Sequence, residues 1–273
     1  MKSGITLFLS CILLSLSGFS QNADSLILNY LENSPFCYSD GKKPKGIEAE
    51  IIEEYVNWLK TKKNITVVVT YNPFKEFDAF YTSTKTGSTK TMGMGSVTNN
   101  AAREKEILFS APYLRNVALL ITHGSVPTIK YKTKEDISKT LNGLSALTVN
   151  ASSHAAYLNE LKRNYLPLLK INFEESQAKL LETIASNNKV FGYADIIAYW
   201  SYLKNNTTSY LKIQKSFSET KEYFSFIMPK NSVHAALINE FFESGFGFTS
   251  TKTYHQILEK YLGYEILGSV EIN

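Results

Sequence analysis

Apolar residues recur at helical spacing near the start of the chain, and extended apolar runs follow. One apolar face over about residues 46–60 is formed by Ile47, Ile51, Ile52, Tyr55, Val56 and Leu59. This spacing predicts an amphipathic helix. The β-branched run at 65–70 predicts a strand, and Pro73 predicts the first turn of a second helix.

Strands and helices then alternate along the rest of the chain. Strands are predicted at 25–30, 92–94, 117–122, 144–149, 168–171, 190–193 and 223–228. Helices are predicted at 135–141, 152–162, 174–185, 196–203, 233–242 and 251–261. Because such alternation is typical of parallel sheet layers covered by helices, the predicted fold class is α/β.

Residues 1–20 have the features of a secretory signal peptide. A lysine precedes an apolar core from Ile5 to Leu16, and small residues follow it. The core is too short for a good membrane span. The Leu-Ser-Cys sequence that ends at Cys11 resembles part of a lipobox, but the apolar core continues past Cys11. We therefore expect cleavage near Ser20 and a periplasmic or secreted protein.

Cysteine use and length indicate a fold without disulfides. Loss of the signal peptide removes Cys11 and leaves Cys37, and one thiol forms no internal disulfide. The remaining residues of a chain that is 44% hydrophobic are enough for two ordinary cores. No basic neighbour in sequence activates Cys37, so we interpret it as a small apolar residue at a strand end and not as a nucleophile.

The charge pattern argues against nucleic-acid binding. The formal net charge is +4, and the lysine-rich pieces stand beside acidic ones. The four histidines His123, His154, His234 and His255 are scattered and show no metal-ligand spacing. We therefore expect neither a metal nor another cofactor.

A polar stretch after Gly93 and Gly95 combines a hydroxyl, amides and a guanidinium. It runs from Ser96 to Arg103. Arginine is scarce in this chain and lysine supplies most of the positive charge. An arginine at this point indicates that its planar fork is needed, because the fork holds a carboxylate by two parallel hydrogen bonds.

Two motifs in this region resemble a known family. The pattern T-x-x-x-x-R, here Thr98 to Arg103, is followed by F-S-x-P-Y, here Phe109 to Tyr113. Together they are similar to the signature of bacterial extracellular solute-binding proteins of the amino-acid-binding type, family 3. The opening Ser34-Pro35-Phe36 with Gly46-Ile47-Glu48, and the closing segment 260–264, also resemble that family. The resemblance covers nearly the whole mature chain.

The resemblance implies a two-lobed, type 2 periplasmic-binding-protein-like fold with parallel or mixed sheets flanked by helices. Mapped onto this chain, lobe 1 comprises residues 21–117 plus 222–273, and lobe 2 comprises residues 118–221. Two strands, near 117–121 and 223–227, would connect the lobes. Two crossings form a hinge, and the expected motion is closure around a ligand.

The resemblance also implies a carboxylate site on lobe 1. In the family, the Thr and Arg of the motif bind a ligand carboxylate, and Thr98 and Arg103 occupy those positions. Asn100 stands where another ligand-contacting hydroxyl is usual, and its amide has both donor and acceptor groups. The alternative for Arg103 is a surface salt bridge with Glu104 or Glu106, although neighbours in sequence on a helix do not face each other.

Lobe 2 is expected to supply a helix start and an acid. Ser152 and Ser153 lie at a strand-to-helix turn whose free N–H groups would face the same carboxylate. Asp195 stands at a strand end, where the family places the acid that binds a ligand ammonium. Helix capping is the alternative for all three residues. The family often has a second Asp about five residues earlier, where this chain has Val190, so the pattern does not single out a standard α-amino acid.

Three functions remain open from the sequence. The first is a monomeric receptor that captures a small carboxylated solute for a membrane permease of an ABC-type uptake system. The second is an enzyme, either a cyclic-acid dehydratase or a hydrolase; Ser153 and His154 are adjacent on a helix and make a poor nucleophile-base pair. The third is a regulatory or cell-wall-fragment module, because the opening segment also resembles the binding domain of lytic transglycosylases of the F type.

Overall fold

The computed structural model describes residues 25–41 and 43–272, with the side chains of 219–221 left aside. The predicted signal peptide at 1–20, with Cys11, lies outside the described residues. Across the part of the chain that the structure describes, none of the helices combines the length and apolar character that crossing a membrane requires.

Strands and helices alternate over the described chain as the sequence pattern predicts. The strands are β1 Ser25–Leu31, β2 Tyr38–Ser39, β3 Pro44–Lys45, β4 Val68–Phe74, β5 Thr91–Thr98, β6 Leu108–Phe109, β7 Leu114–His123, β8 Ser145–Val149, β9 Ile171–Glu174, β10 Val190–Asp195, β11 Leu211–Ile213 and β12 Glu219–Met228. The helices are α1 Ile47–Lys63, α2 Phe77–Lys85, α3 Ala101–Glu104, α4 Lys134–Leu141, α5 Ser153–Asn164, α6 Gln177–Ser186, α7 Ile196–Asn205, α8 Ala235–Glu243, α9 Lys252–Leu262 and α10 Tyr264–Val270. The α/β class is confirmed.

One mixed sheet runs through the molecule in the strand order β4-β1-β5-β12-β7-β10-β8-β9. The pairs at each end of this order are parallel, β4-β1-β5 on one side and β10-β8-β9 on the other. Between them, β12 pairs antiparallel with β5 and β7, and β10 pairs antiparallel with β7. Two parallel layers are therefore joined through the long strands β7 and β12.

Buried side chains form separate clusters on the two sides of β7 and β12. Two clusters draw on residues between 118 and 217, from β7, β8, β10 and the helices that cover them. Two others draw on the first hundred or so residues and on the C-terminal helices. Helix α7 contacts both sides. Ala198 and Tyr202 pack against one of the first two clusters. Ile197 belongs to the cluster that includes the C-terminal helices, and Trp200 Nε1 donates to Leu262 O at 3.2 Å. The division into lobes stays a prediction that this arrangement supports.

Several predicted boundaries differ from the observed ones, and the helix at Pro73 and the strand at 168–171 are two of them. Pro73 lies in β4, paired with Tyr30 of β1, and the helix predicted to begin there starts at Phe77. Pro73 is exposed on an edge strand, where its missing N–H removes no ladder bond. The strand predicted at 168–171 begins at Ile171, and Leu168 is exposed before it.

Candidate functional site

Strand β5 delivers the polar stretch that the sequence singles out. The strand continues to Thr98, four residues beyond the predicted end at Met94. Ser96 has a φ of 46°, a left-handed conformation that interrupts the regular strand. Three residues after Thr98, the single-turn helix α3 begins, capped by Asn100, whose Oδ1 accepts from Ala102 N at 3.1 Å and Arg103 N at 3.0 Å. This turn fixes the position of the Arg103 side chain.

The Arg103 guanidinium lies across the cleft between the two sides of the sheet. Its Nη1 donates to Thr98 O at 3.0 Å, and its Nη2 donates to Ala151 O at 3.0 Å on the opposite wall. The guanidinium also lies over the rings of Phe77 and Tyr81, 5.1 and 5.7 Å from their centroids. Burial lowers the pKa of Arg103 from its ordinary value. The direct contacts of the cation among the described residues are thus all neutral, and the nearby Glu222 charge acts on it without an ion pair.

The surface-salt-bridge alternative for Arg103 is wrong. Glu106 pairs instead with Lys85, at an Nζ to Oε2 distance of 2.7 Å. Among the residues that the structure describes, no ion pair joins Arg103 to Glu104, and the guanidinium faces the cleft.

The start of helix α5 forms the opposite wall. Ser152 is the N-cap residue, yet its side chain makes no capping hydrogen bond, because its Oγ donates to Val149 O at 2.7 Å. Ser153 Oγ lies 3.3 Å from Thr98 Oγ1, so the two walls touch at this point. First-turn N–H groups without a side-chain cap are suited to bind an anion.

Asp195 ends β10, lines the cleft and is 4% exposed. It precedes α7 but makes no side-chain capping bond there, so the capping alternative is wrong for this residue. Its Oδ1 accepts from Asn116 Nδ2 at 2.5 Å and lies 3.3 Å from His154 Nε2. Its Oδ2 accepts from Gln177 Nε2, and its own N–H donates to Gln177 Oε1 at 2.7 Å.

The same cluster contains a second acid, Glu222. It accepts from Tyr157 Oη and, at 2.5 Å, from Asn116 Nδ2. One ligand-type atom from each of His154, Asp195 and Glu222 lies within 4.8 Å of the others. Asn116 Nδ2 donates to both carboxylates and so occupies the position between them that a cation would need. The group is therefore better suited to hydrogen bonding than to metal binding.

The charged groups of this cluster shift one another's pKa values. Burial lowers the pKa of His154, but the Asp195 carboxylate outweighs it, so the pKa of His154 is raised. Burial raises the pKa of Asp195, but His154, Gln177 and Asn116 outweigh it, so the pKa of Asp195 is lowered. Burial and the nearby Asp195 charge raise the pKa of Glu222. The imidazolium–carboxylate form of the His154–Asp195 pair is thus favoured.

A buried acid, Glu48, stabilises the part of β5 that leads to the cleft. Glu48 of α1 is 0% exposed, and its Oε1 accepts from Gly95 N at 3.1 Å, Ser96 N at 3.0 Å and Tyr113 Oη at 2.5 Å. Burial raises the pKa of Glu48 to about 7, against the opposing effect of these three hydrogen bonds. Glu48 holds the left-handed turn at Ser96 that leads to Thr98.

One cleft collects most of the predicted site residues. Thr98, Arg103, Ser152, Ser153 and Asp195 all line it. Asn100 is not among its lining residues and instead caps α3. Lys75, Glu32 and Glu175 also border the cleft.

Sequence reasoning missed the residues that hold the site together. They are Glu48, Asn116, His154, Gln177 and Glu222. A signal existed for Glu48, because it stands next to Ile47 and four residues before Ile52, on the apolar face of α1. For His154 the signal was its position in the sequence, directly after the predicted site residues Ser152 and Ser153. Asn116 and Glu222 meet only through the pairing of β7 with β12, which the local pattern does not encode.

A cleft between two α/β halves, with polar groups from both walls, is the arrangement of a small-molecule binding protein. The family model for bacterial extracellular solute-binding proteins, family 3, matches residues 27–264. The chain therefore belongs to this family, as its motifs suggest. No curated protein matches the chain in sequence.

Solved structures share the fold at low sequence identity. An ancestral arginine-binding protein bound to arginine superposes with a TM-score of 0.69 at 19% identity, covering 88% of this chain and 99% of that one. A putative L-cystine ABC transporter from Listeria monocytogenes gives 0.69 at 16% identity, with 89% and 97% covered. The ancestral amino acid-binding protein AncCDT-1, a precursor of cyclohexadienyl dehydratase, gives 0.64 at 16%, with 88% and 96% covered.

Proposed function

We propose that this protein is an exported receptor that closes around a small carboxylated solute and delivers it to the permease of an ABC-type uptake system. Family membership supports extracellular solute binding. The structural neighbours, which include an arginine-binding protein and a putative cystine transporter component, support an amino acid or a related acid as the solute. The receptor acts as a monomer without catalysis, metal or cofactor, and its signal peptide is cleaved near Ser20.

The carboxylate is held between Arg103 and the start of α5. The observation that carries this proposal is the Arg103 guanidinium, which faces the cleft and has two backbone carbonyls as its hydrogen-bond partners. A solute carboxylate entering there would replace a carbonyl contact by a charge-assisted pair. Thr98 Oγ1 and Ser153 Oγ, 3.3 Å apart, would donate from the two walls to the same anion.

Closure of the two lobes about β7 and β12 completes the site. Residues 21–117 and 222–273 provide Thr98 and Arg103, and residues 118–221 provide the serines. The contacts of Arg103 with Ala151 and of Thr98 with Ser153 support a closed arrangement of these walls. A bound solute would add its own contacts to both walls and stabilise that arrangement.

A thermal-shift screen with the Arg103→Lys variant tests the carboxylate site. Amino acids, hydroxy acids, keto acids and muropeptides are added to the protein. A true solute at a hundred times its Kd adds about 2.7 kcal/mol to the free energy of unfolding. The Arg103→Lys variant loses most of that shift, because a point charge does not reproduce the two-bond fork.

Arg163→Lys, an exposed change at the end of α5, serves as the matched control and keeps the full shift. Equal shifts in Arg103→Lys and the unmodified protein remove Arg103 from the site. A shift with muropeptides alone favours the cell-wall-fragment function. Product release from a cyclic acid favours an enzyme.

A further inference from the structure

Asp195, an acid that lines the cleft, already has partners within the protein on both carboxylate oxygens. Oδ1 accepts from Asn116 at 2.5 Å and lies 3.3 Å from His154 Nε2, and Oδ2 accepts from Gln177. Two amide N–H groups thus take one acceptor site on each oxygen, and the His154 ring lies beside Oδ1, where an ammonium group of a solute would compete with it.

The charge of Asp195 is balanced as well. His154 packs in the same buried cluster, 3% exposed, with its ring 6.3 Å from the ring of Tyr157 and 6.2 Å from that of Tyr193. The neighbouring acid Glu222 is engaged with Tyr157 and Asn116. An ammonium group at Asp195 would displace one of these partners and place a second cation beside the imidazolium in a buried position, which is costly.

Arg103, which lines the same cleft, has the reverse character. Among the described residues, the direct contacts of the Arg103 cation are two carbonyl oxygens and two aromatic faces, all of them neutral. Two other acids border the cleft. Glu175 is exposed, and Glu32 accepts from Ser39 N at 3.0 Å. Within the described part of the chain, Arg103 therefore makes no direct ion pair, whereas Asp195 has the His154 ring 3.3 Å away.

We infer that the solute carries a carboxylate for Arg103 and no ammonium group for Asp195. The fitting class is a hydroxy acid, a keto acid or an unsubstituted carboxylic acid, and not the corresponding α-amino acid. This inference rests on the proposed function, since it concerns the same cleft. It differs from the use of Asp195 that the family resemblance implies, because His154 takes the place of the ligand cation.

Matched ligand pairs test the inference directly. Calorimetric titration and thermal shift compare L-alanine with L-lactate and pyruvate, L-leucine with 2-hydroxy-4-methylpentanoate, L-phenylalanine with 3-phenyllactate, and L-glutamate with 2-oxoglutarate and glutarate. In every pair that binds, the acid without the ammonium group binds at least about tenfold more tightly. Amino acids that bind as tightly as their partners overturn this inference and leave the carboxylate receptor standing. If no compound in any pair binds, the proposed function fails and this inference fails with it.

The His154→Gln variant tests the reason for the preference. Glutamine keeps a hydrogen-bonding group near Asp195 but carries no charge, so the acid becomes available to an ammonium. The affinity ratio then moves about tenfold towards the amino acid. The exposed His255→Gln is the matched control and leaves the ratio unchanged. An unchanged ratio in a folded His154→Gln protein overturns the role assigned to His154.

The Asp195→Asn variant keeps the inference testable if His154→Gln does not fold. The readout is the ratio of the affinities for a deaminated acid and for its amino acid, because loss of the Asp195 charge affects the shared carboxylate site equally in both. With no ammonium contact at Asp195, this ratio changes by less than about threefold. A tenfold or greater fall in the relative affinity for the amino acid overturns the inference, because it means that Asp195 contributes its charge to an ammonium.

Discussion

Glu48 combines complete burial with a carboxyl group that titrates near neutral pH. Three hydrogen bonds converge on its Oε1, while its Oε2 has no hydrogen-bond partner among the described residues. Burial is the dominant cause and raises its pKa from 4.5 to about 7. The folded state therefore binds this proton more tightly than the unfolded state does.

The sign of the resulting pH dependence follows from the raised pKa. The stability from Glu48 is fully present below pH 4.5 and is lost as the pH rises through about 7. The total change is about 3 kcal/mol. Urea unfolding at pH 5 and pH 8 measures it, and the Glu48→Gln variant, a neutral mimic of the protonated acid, loses most of this difference.

Glu53→Gln is the control for this measurement, because Glu53 is exposed on the same helix. It retains the pH dependence of the unmodified protein. His154 also has a raised pKa and adds a loss of stability in the same direction at higher pH, so the comparison uses the difference between each variant and the unmodified protein. Identical pH profiles for Glu48→Gln and Glu53→Gln would show that Glu48 does not titrate as described.

The sequence identifies residues that line the cleft where these residues belong to a local motif. Thr98, Arg103 and the two serines were identified from sequence and do line one cleft. The partners of Asp195 come from β7, α5 and α6, up to 79 positions away in sequence. A strand end gives the position of an acid, but only the packing of these elements decides whether its charge is already balanced.

At the scale of elements, the short helix α3 depends on its cap. Its four residues make few hydrogen bonds of their own, and Asn100 Oδ1 accepts two of the first N–H groups. The Asn100→Ala variant removes both bonds. We expect a loss of about 1 kcal/mol in the free energy of unfolding, the usual effect of removing an N-cap side chain. Solute affinity falls as well, because the cap positions Arg103.

Asn100→Ser distinguishes capping from direct solute binding. Serine is a good N-cap residue, so this variant keeps both stability and affinity close to those of the unmodified protein. Urea unfolding and calorimetry on the same samples measure the two quantities. Full affinity in Asn100→Ala, together with the expected loss of stability, would separate the cap from the positioning of Arg103.

Element prediction from sequence is accurate where the apolar period is long. The predicted helix at about 46–60 is observed as Ile47–Lys63, and the one at 251–261 as Lys252–Leu262. One error is at Pro73, which was predicted to begin a helix and lies in a strand. Another is at Leu168, which was predicted to begin a strand and lies exposed in an apolar connecting loop. The short strand β11 was missed because it has only three residues, and its pairing with β7 depends on tertiary structure.

At the scale of the whole molecule, the buried cluster links the cleft to the strands that cross between its two sides. Asn116 of β7 and Glu222 of β12 are register partners, and Asn116 also donates to Asp195. A change in the angle between the two sides would therefore disturb the partners of Asp195. Because Asn116 donates to both Asp195 and Glu222, the surroundings of Asp195 depend on the geometry of the two strands that form the proposed hinge.

The pair Thr98→Cys and Ser153→Cys tests whether the cleft must open for the solute to enter. The two hydroxyl oxygens are 3.3 Å apart, so two sulfurs at these positions need only a small adjustment to form a bond of about 2.05 Å. Cys37 is 0% exposed and burial raises its pKa, so it does not compete for the new thiols. Oxidation would join the two walls directly across the binding site.

Calorimetry on the oxidised and reduced forms of this double variant isolates the effect of the cross-link, because both forms have the same sequence. The reduced form binds the solute, with an affinity lowered by the loss of the two hydroxyl groups. The oxidised form gives no heat of binding, since the solute reaches Arg103 only when the walls separate. Each single variant, treated with the same oxidant, binds as its reduced form does. Equal binding by the oxidised and reduced double variant would mean that the cleft admits its solute without any separation of the two walls.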